Sequence, residues 1–513
     1  MSRSATTTRE TERKYDVDEA VVLPEPAQLL DLDAGTGAHE IRLEATYFDT
    51  IDLGLLRAGI TLRRREGGPD EGWHLKLPAG GDSRDELRLP LGAGGRDKPP
   101  AEFVALTRLA ARAGPLAPVA LLATRRRRWV LSDARGRELV ELVEDRVDAH
   151  TMGEQTTATS WRELEVELAE SGRPKVLDRI ERDLLDVGAR RSRSGSKLAR
   201  VLADRLPAAR PDTDRRTADG TAGAALLAYL RVQTDRLRAH DPLVRRDAPD
   251  SVHQMRVASR RMRSALQAYP RVLDRAGTRA VTEELKWLGT QLSGARDDEV
   301  IEQRLAALIA GLPGDLVLGP VGAQLTRSMQ RRRAAARETA LAALDSDRYL
   351  ALHDAIDRLI ADPPVARGAR RPARRELPRG VARAWKRTRR RMRAVEGAQV
   401  GPARDLALHE ARKAAKRLRY AVEVAVPELG KPAKRMRRRL KELHGPLGDH
   451  QDTVVARPVI RELAVQAHLD GGNGFTHGVL HGLESARAER AEHDLPGRWD
   501  ALNRPQVTRW LTT

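Results

Sequence analysis

Glu10, Glu12 and Lys14 stand two residues apart, a spacing that in a β-strand puts two carboxylates and an ammonium on one face. The same period recurs through the first two hundred residues: Arg63 and Arg65; Arg84, Glu86 and Arg88; Arg125 and Arg127 ahead of Trp129; and Glu163, Glu165 and Glu167. On one strand such alternation describes a solvated face. Repeated strand after strand, it describes a surface built to carry charge. Carboxylates supply hard oxygen ligands for Mg2+ or Mn2+, and Arg and Lys clamp phosphate oxygens. Together they are what transfer of a phosphoryl group to water requires. The sequence has no GxxxxGK phosphate loop, which excludes a nucleotide triphosphatase of that class.

The elements that would position these groups follow from the residues between them. In WRELEVEL (161–168), Leu164, Val166 and Leu168 alternate with the glutamates, so the opposite face is apolar and has to pack. A closed antiparallel barrel meets both demands, with the charged face turned to a water-filled lumen and the apolar face covered by helices. Strand-like texture continues to about Lys197, and from about Gly223 the chain becomes long, helical and rich in Ala, Leu and Arg. The expected fold is an α+β N-terminal domain with a closed antiparallel β-barrel (5–205), a Pro- and Asp-bearing linker (206–222) and an all-α domain of two helical bundles (223–505).

The helical half contains a repeat. His253, Arg256, Arg260, Arg261 and Arg263 fall on His409, Arg412, Lys416, Arg417 and Arg419 at an offset of 156, and Lys286 and Asp297 fall on Lys441 and Asp452 at an offset of 155. At the helical period His253, Arg256, Arg260 and Arg263 occupy an arc of about 80°, with Met255, Ala258, Met262 and Leu266 opposite. Each copy is therefore an amphipathic helix with one cationic stripe. Asp297, Asp298, Asp449 and Asp452 read as helix caps. The polar stretch 361–380 is expected to separate two sub-bundles.

Composition limits the partners. The 513 residues carry 92 Lys+Arg against 73 Asp+Glu, a formal charge of +19, which points to a polyanion: nucleic acid, an anionic membrane or a phosphate polymer. Aromatic residues are 3% of the chain, too few for the stacking platforms that hold single-stranded bases, which counts against nucleic acid. No apolar stretch reaches the length of a membrane span. The opening residues show no apolar signal segment and there is no cysteine, so the cytoplasm is the expected compartment.

The run Glu10-Thr-Glu12-Arg-Lys14 resembles the ExExK opening of the CYTH, or triphosphate tunnel metalloenzyme, family. TYFDT (46–50), LRRR (62–65), HLKL with Lys76, TRRRRW (124–129), the strand through Asp145, ELEVEL (163–168) and SGSKLAR (194–200) follow in that family's order. The resemblance implies that Glu10, Glu12, Asp145, Glu163, Glu165 and Glu167 hold Mg2+ or Mn2+. It implies that Lys14, Arg63, Arg65, Lys76, Arg125, Arg127 and Lys197 bind the triphosphate, and that Lys76 and Tyr47 help activate water. The four successive arginines leave two registers open, since a slip of one residue selects Arg126 and Arg128.

The repeated HxxRxxxRRxR pattern is similar to that of the CHAD family, an α-helical domain named for its histidines. That resemblance implies long-chain polyphosphate as ligand, held by His253, Arg256, Arg260, Arg263, His409, Arg412, Lys416 and Arg419, with Lys286 and Lys441 nearby. The function so implied is metal-dependent hydrolysis of inorganic triphosphate or a related short chain, coupled to polyphosphate binding. The alternative is a non-catalytic polyphosphate-binding or granule-associated protein.

Overall fold

The computed structural model describes residues 5–22, 39–153, 156–206 and 220–511. The chain divides into two compact units, Met1–Arg210 and Pro211–Thr513. Most of the linker read at 206–222 lies outside the described residues.

In the first unit the strands are β1 (Thr6–Val17), β2 (His39–Asp49), β3 (Thr61–Glu66), β4 (Gly72–Gly80), β5 (Ser83–Leu89), β6 (Ala117–Ser132), β7 (Glu138–Thr151), β8 (Ala158–Leu168) and the short β9 (Arg190–Arg191). They pair antiparallel in the order β5-β4-β3-β2-β6-β7-β8-β1-β9, and β1 also pairs with β5, which closes eight strands into a barrel. Period two then sorts side chains by face. On β8, Leu164 and Val166 are buried outside with Tyr15 and Trp129, beneath the helix α2 (Pro174–Asp186) through Leu177, Ile180 and Leu184. A second outer cluster packs Trp73, Leu75 and Leu87 against Phe103 and Leu106 of α1 (Ala101–Ala111). The outer apolar face is what holds the charged inner face in register.

The second unit is helical: α4 (Ala222–Arg245), α5 (Ser251–Ala268), α6 (Arg275–Gln291), α7 (Ser293–Ala310), α8 (Val321–Asp345), α9 (Asp347–Ala361), α10 (Ala373–Glu396), α11 (Pro402–Leu429), α12 (Lys431–Leu469) and α13 (Phe475–Asn503), numbered after the short α3 (Lys197–Val201) of the first unit. The duplicated stripes lie on α5 and α11, which pack against each other; Met255 and Met262 of α5 and Ala414 and Leu418 of α11 are buried. Tyr269 fastens the end of α5 by donating to the Ala421 carbonyl at 2.6 Å. Gly380 of α10 is required at this join, because a Cβ there would lie 2.3 Å from the Tyr269 ring.

The repeat is imperfect: α6 and α7 correspond to the single helix α12. Asp449 and Asp452 therefore lie inside α12 and Asp298 inside α7, and none caps a helix. The Asp297 side chain lies outside the described residues. The stretch 361–380 is connector only up to Pro372, after which α10 begins.

Candidate functional site

The barrel encloses a cavity of about 320 Å³. Nine cationic and seven acidic side chains line it, so the lumen is wet, charged and slightly positive. Strand register explains the arrangement: Glu12 lies opposite Glu167 and Lys14 opposite Glu165 across β1 and β8, and Lys76 lies opposite Glu86 across β4 and β5.

One wall is a closed set of ion pairs. Lys14 Nζ contacts Glu12 at 3.1 Å and also pairs with Glu165. The Ser196 hydroxyl accepts from Ala199 N at 3.1 Å, starting α3. From its first residue, Lys197 Nζ reaches Asp145 at 2.8 Å and Glu163 and Glu165 at 2.7 Å. Arg126 grips Asp145 with two bonds of 2.8 and 2.7 Å and reaches Glu165 at 3.3 Å. Burial alone would raise Asp145 and Glu165, but Lys197 and Arg126, joined by Lys14 at Glu165, outweigh it and hold both below the usual carboxylate range.

The other wall is less balanced. Lys76 Nζ lies 2.5 Å from Glu10 and 3.7 Å from Glu86, and Arg88 lies 3.4 Å from Glu10. Burial raises Glu10, and Glu167 is pushed up to about 7 by burial and by Glu10. Tyr47 Oη accepts from Arg63 at 3.3 Å. Burial would raise its phenol, yet Arg63 and Lys197 outweigh that and leave it below its ordinary value.

Thus Glu10, Glu12, Lys14, Tyr47, Arg63, Arg65, Lys76, Glu165, Glu167 and Lys197 all face the cavity, and Asp145 and Glu163 close its Lys197 side. Arg125 and Arg127 do not. The lining pair is Arg126 and Arg128, the alternative register. The reason is Trp129, whose burial outside beneath α2 fixes the odd-numbered residues of β6 on the outer face. Arg127 stacks over that indole at 5.0 Å and pairs with Glu144 at 3.3 Å. Replacing Arg126 with Ala is expected to lower stability by about 3–5 kcal/mol, because Asp145 keeps only Lys197. Arg125→Ala should leave stability unchanged, and thermal melts on both variants check the register.

Arg84, Glu86 and Arg88, an alternating run in the sequence, also line the cavity. Glu86 sits in the cavity wall and also meets His74 Nδ1 at 3.0 Å. His74, two residues before Lys76 in period, is pushed down to about 3 by burial and by Arg63 and Arg65, with its bond to Glu86 opposing.

In the helical unit the two stripes converge. Arg260 donates to Tyr420 Oη at 3.0 Å across α5 and α11. Lys416 is pushed down to about 6 by burial, Arg412 and Arg260. His444 of α12, which the repeat could not reveal because it has no twin, is pushed down to about 3 by burial and by Arg419, Lys416 and Arg412. Arg256 joins this group and donates to the Ser293 carbonyl at 3.1 Å. Arg263 lies between Arg260 and Arg417, whereas His409 pairs with Gln451 and Lys286 is exposed on α6. His253 is half-buried on α5. Arg419 and Lys441 line a separate cavity of about 1130 Å³ with Arg261, Arg437 and Arg438.

The CYTH domain family matches residues 8–201 and the CHAD domain family residues 228–461. The uncharacterized protein MT2285 of Mycobacterium tuberculosis (strain CDC 1551 / Oshkosh) is 37% identical over 501 residues, 95% of this chain and 94% of that protein. The chain is a CYTH–CHAD protein. Among solved structures, PptA from Streptomyces chartreusis is similar at 23% identity and a TM-score of 0.47, covering 55% of this chain and 99% of its own. The CHAD domain from the plant Ricinus communis is similar at 26% identity and a TM-score of 0.44, covering 56% and 92%. The CYTH unit is accordingly a triphosphate-tunnel domain of a metal-dependent family, and its buried acids Asp145, Glu163 and Glu165 bring one oxygen each within 4.8 Å of one another. No helix among the described residues is long and apolar enough to cross a membrane.

Proposed function

We propose that the CYTH unit hydrolyses inorganic triphosphate, or a related short phosphate chain, with Mg2+ or Mn2+, and that the CHAD unit binds long-chain polyphosphate. The observation that carries this reading is the sharing of one 320 Å³ cavity by Lys14, Lys76, Arg63 and Arg126 with Glu10, Glu12, Glu165 and Glu167. Cations alone would make an anion trap, and carboxylates alone a metal site.

The donor set fits a hard divalent ion. Lys197 and Arg126 already balance Asp145, whereas Glu10 is raised by burial and by Glu86, and Glu167 by burial and by Glu10, so added positive charge is favoured beside Glu167. Glu10, Glu12, Glu165 and Glu167 would hold the ion, which when bound neutralises phosphate oxygens and lowers the pKa of water. Arg63, Arg126 and Lys14 bind and orient the chain through its equatorial oxygens, where charge spreads in the transition state. Tyr47 and Lys76 orient the attacking water, with Arg63 and Lys197 biasing the Tyr47 phenol towards releasing its proton. In the CHAD unit, Arg256, Arg260, Arg412 and Lys416 offer repeated charge to a thin polymer, a match that needs no base to be read. Such a protein would work in the cytoplasm where polyphosphate accumulates.

The test is phosphate release by the purified chain from inorganic triphosphate, ATP and long polyphosphate, with and without Mg2+ or Mn2+. Metal-dependent release from inorganic triphosphate is expected to exceed that from ATP. No release from any of them with either metal overturns the hydrolase reading.

A further inference from the structure

The hairpin joining β3 to β4 carries an anion into the tunnel. Gly67 and Gly68 have φ of +82° and +79°, and a Cβ on Gly67 would lie 2.5 Å from the Arg42 carbonyl oxygen, so the turn is pressed onto β2 in a conformation that side chains resist. Pro69 and Asp70 follow, and both line the cavity. Asp70 is anchored through its backbone, its carbonyl accepting from Arg65 Nη2 at 3.2 Å and lying 2.9 Å from His74 Nε2. Its carboxylate pairs with Arg65 and stands 3.8 Å from Arg88 Nη1. The Arg65 side chain is only 3% exposed, so its charge is desolvated among other arginines. A carboxylate at that place offsets a buried cation, unlike a surface pair.

We propose that Asp70 is a specificity-determining residue of the tunnel: it holds the anion position on Arg65 and Arg88, closes that end to a linear phosphate chain, and so favours short chains over longer ones. The inference rests on the reading of the tunnel as a phosphate-chain site. A chain running past Arg63 towards Arg65 brings its next phosphate against the Asp70 carboxylate, whose side chain is 32% exposed, and like charges meeting at that partly screened place are disfavoured. Extension then requires the hairpin to leave its seat, which the Gly67 contact and both backbone anchors oppose. Neither anchor uses the carboxylate. Asp70→Asn and Asp70→Ala therefore remove the charge and keep the turn.

The experiment compares kcat and KM for inorganic triphosphate and linear tetraphosphate, with Mg2+, in the parent chain, Asp70→Ala, Asp70→Asn and a control, Asp82→Asn, whose carboxylate pairs with Arg191. The parent is expected to prefer triphosphate by about tenfold or more in kcat/KM. Both Asp70 variants should bring the ratio near one through a lower KM for tetraphosphate, with kcat for triphosphate retained, and Asp82→Asn should keep the parent ratio. An unchanged ratio in two folded Asp70 variants that still turn over triphosphate overturns the inference alone. Should the parent release no phosphate, the hydrolase reading falls separately. The inference is then decided by calorimetric affinities for the two chains, where the same ratio in the parent and Asp70→Asn overturns it.

Discussion

Glutamine at both position 12 and position 167 is expected to lower metal-dependent release of phosphate from inorganic triphosphate by more than about a hundredfold, the upper range for disturbing groups that only support a metal's ligands. The two carboxylates are directly opposed across β1 and β8. Burial would raise Glu12, but Lys14 and Lys76 outweigh it, whereas burial together with Glu10 and Glu12 pushes Glu167 up to about 7. That asymmetry marks a place where negative charge exceeds positive charge and a divalent ion is favoured. Glutamine keeps the shape and the strand ladder while removing the ligand charge. In the metal-free variant, loss of the Glu12–Lys14 pair offsets the relief of repulsion at Glu167, so its melt should stay close to the parent's. Retained turnover in the double variant would sink the assignment of these residues as ligands, and the melt separates that outcome from unfolding.

The second large effect is a pH dependence in the CHAD unit. Lys416 is held at about 6, against an ordinary lysine value of 10.5, by burial and then by Arg412 and Arg260, with Asp452 opposing. Between those values the unfolded chain binds a proton that the folded chain does not. Stability of this unit should therefore rise with pH from about 6 to about 10, by up to about 1.4 kcal/mol per unit for one such proton. Polyphosphate binding should run the other way. An anion placed against Arg260 and Arg412 raises Lys416, so binding takes up a proton and affinity falls as pH climbs above 6, by at most about tenfold per unit. Lys416→Met should flatten both slopes. Denaturant melts and polyphosphate titrations at pH 6, 7 and 8 on the parent and the variant check this, and equal slopes in the two proteins would contradict it.

What the sequence revealed, and what it hid, divides along physical lines. The barrel was legible because period-two alternation with an apolar reverse face, as in WRELEVEL, has few other solutions. The helical stripes were legible because duplication repeated them at a fixed offset. The inward register of the four arginines depended on where Trp129 packs, a long-range fact that alternation by itself leaves open. Lys197 lines the cavity and its ammonium also sits among Asp145, Glu163 and Glu165, a tertiary balance of charge that spacing does not encode. His444 enters the cationic cluster from α12, outside the repeated stripe. Asp70 was hidden for the opposite reason: Gly-Gly-Pro-Asp reads as an ordinary turn, and only the fold turns its carboxylate towards Arg65.

The closing seam of the barrel has a consequence for biosynthesis. The strand bearing Glu10, Glu12 and Lys14 leaves the ribosome well before its partner β8, which ends at Leu168. Throughout that interval β1 has no β8 ladder, and the charges destined for the lumen stand in water without their counterions. Pairing so distant in sequence is slow to form, and an open edge strand invites strand-to-strand association with other chains. The same charges that equip the finished tunnel serve the nascent chain as a guard, since a strand carrying Glu10, Glu12 and Lys14 on one face would have to strip water from three charged groups to stack on another strand.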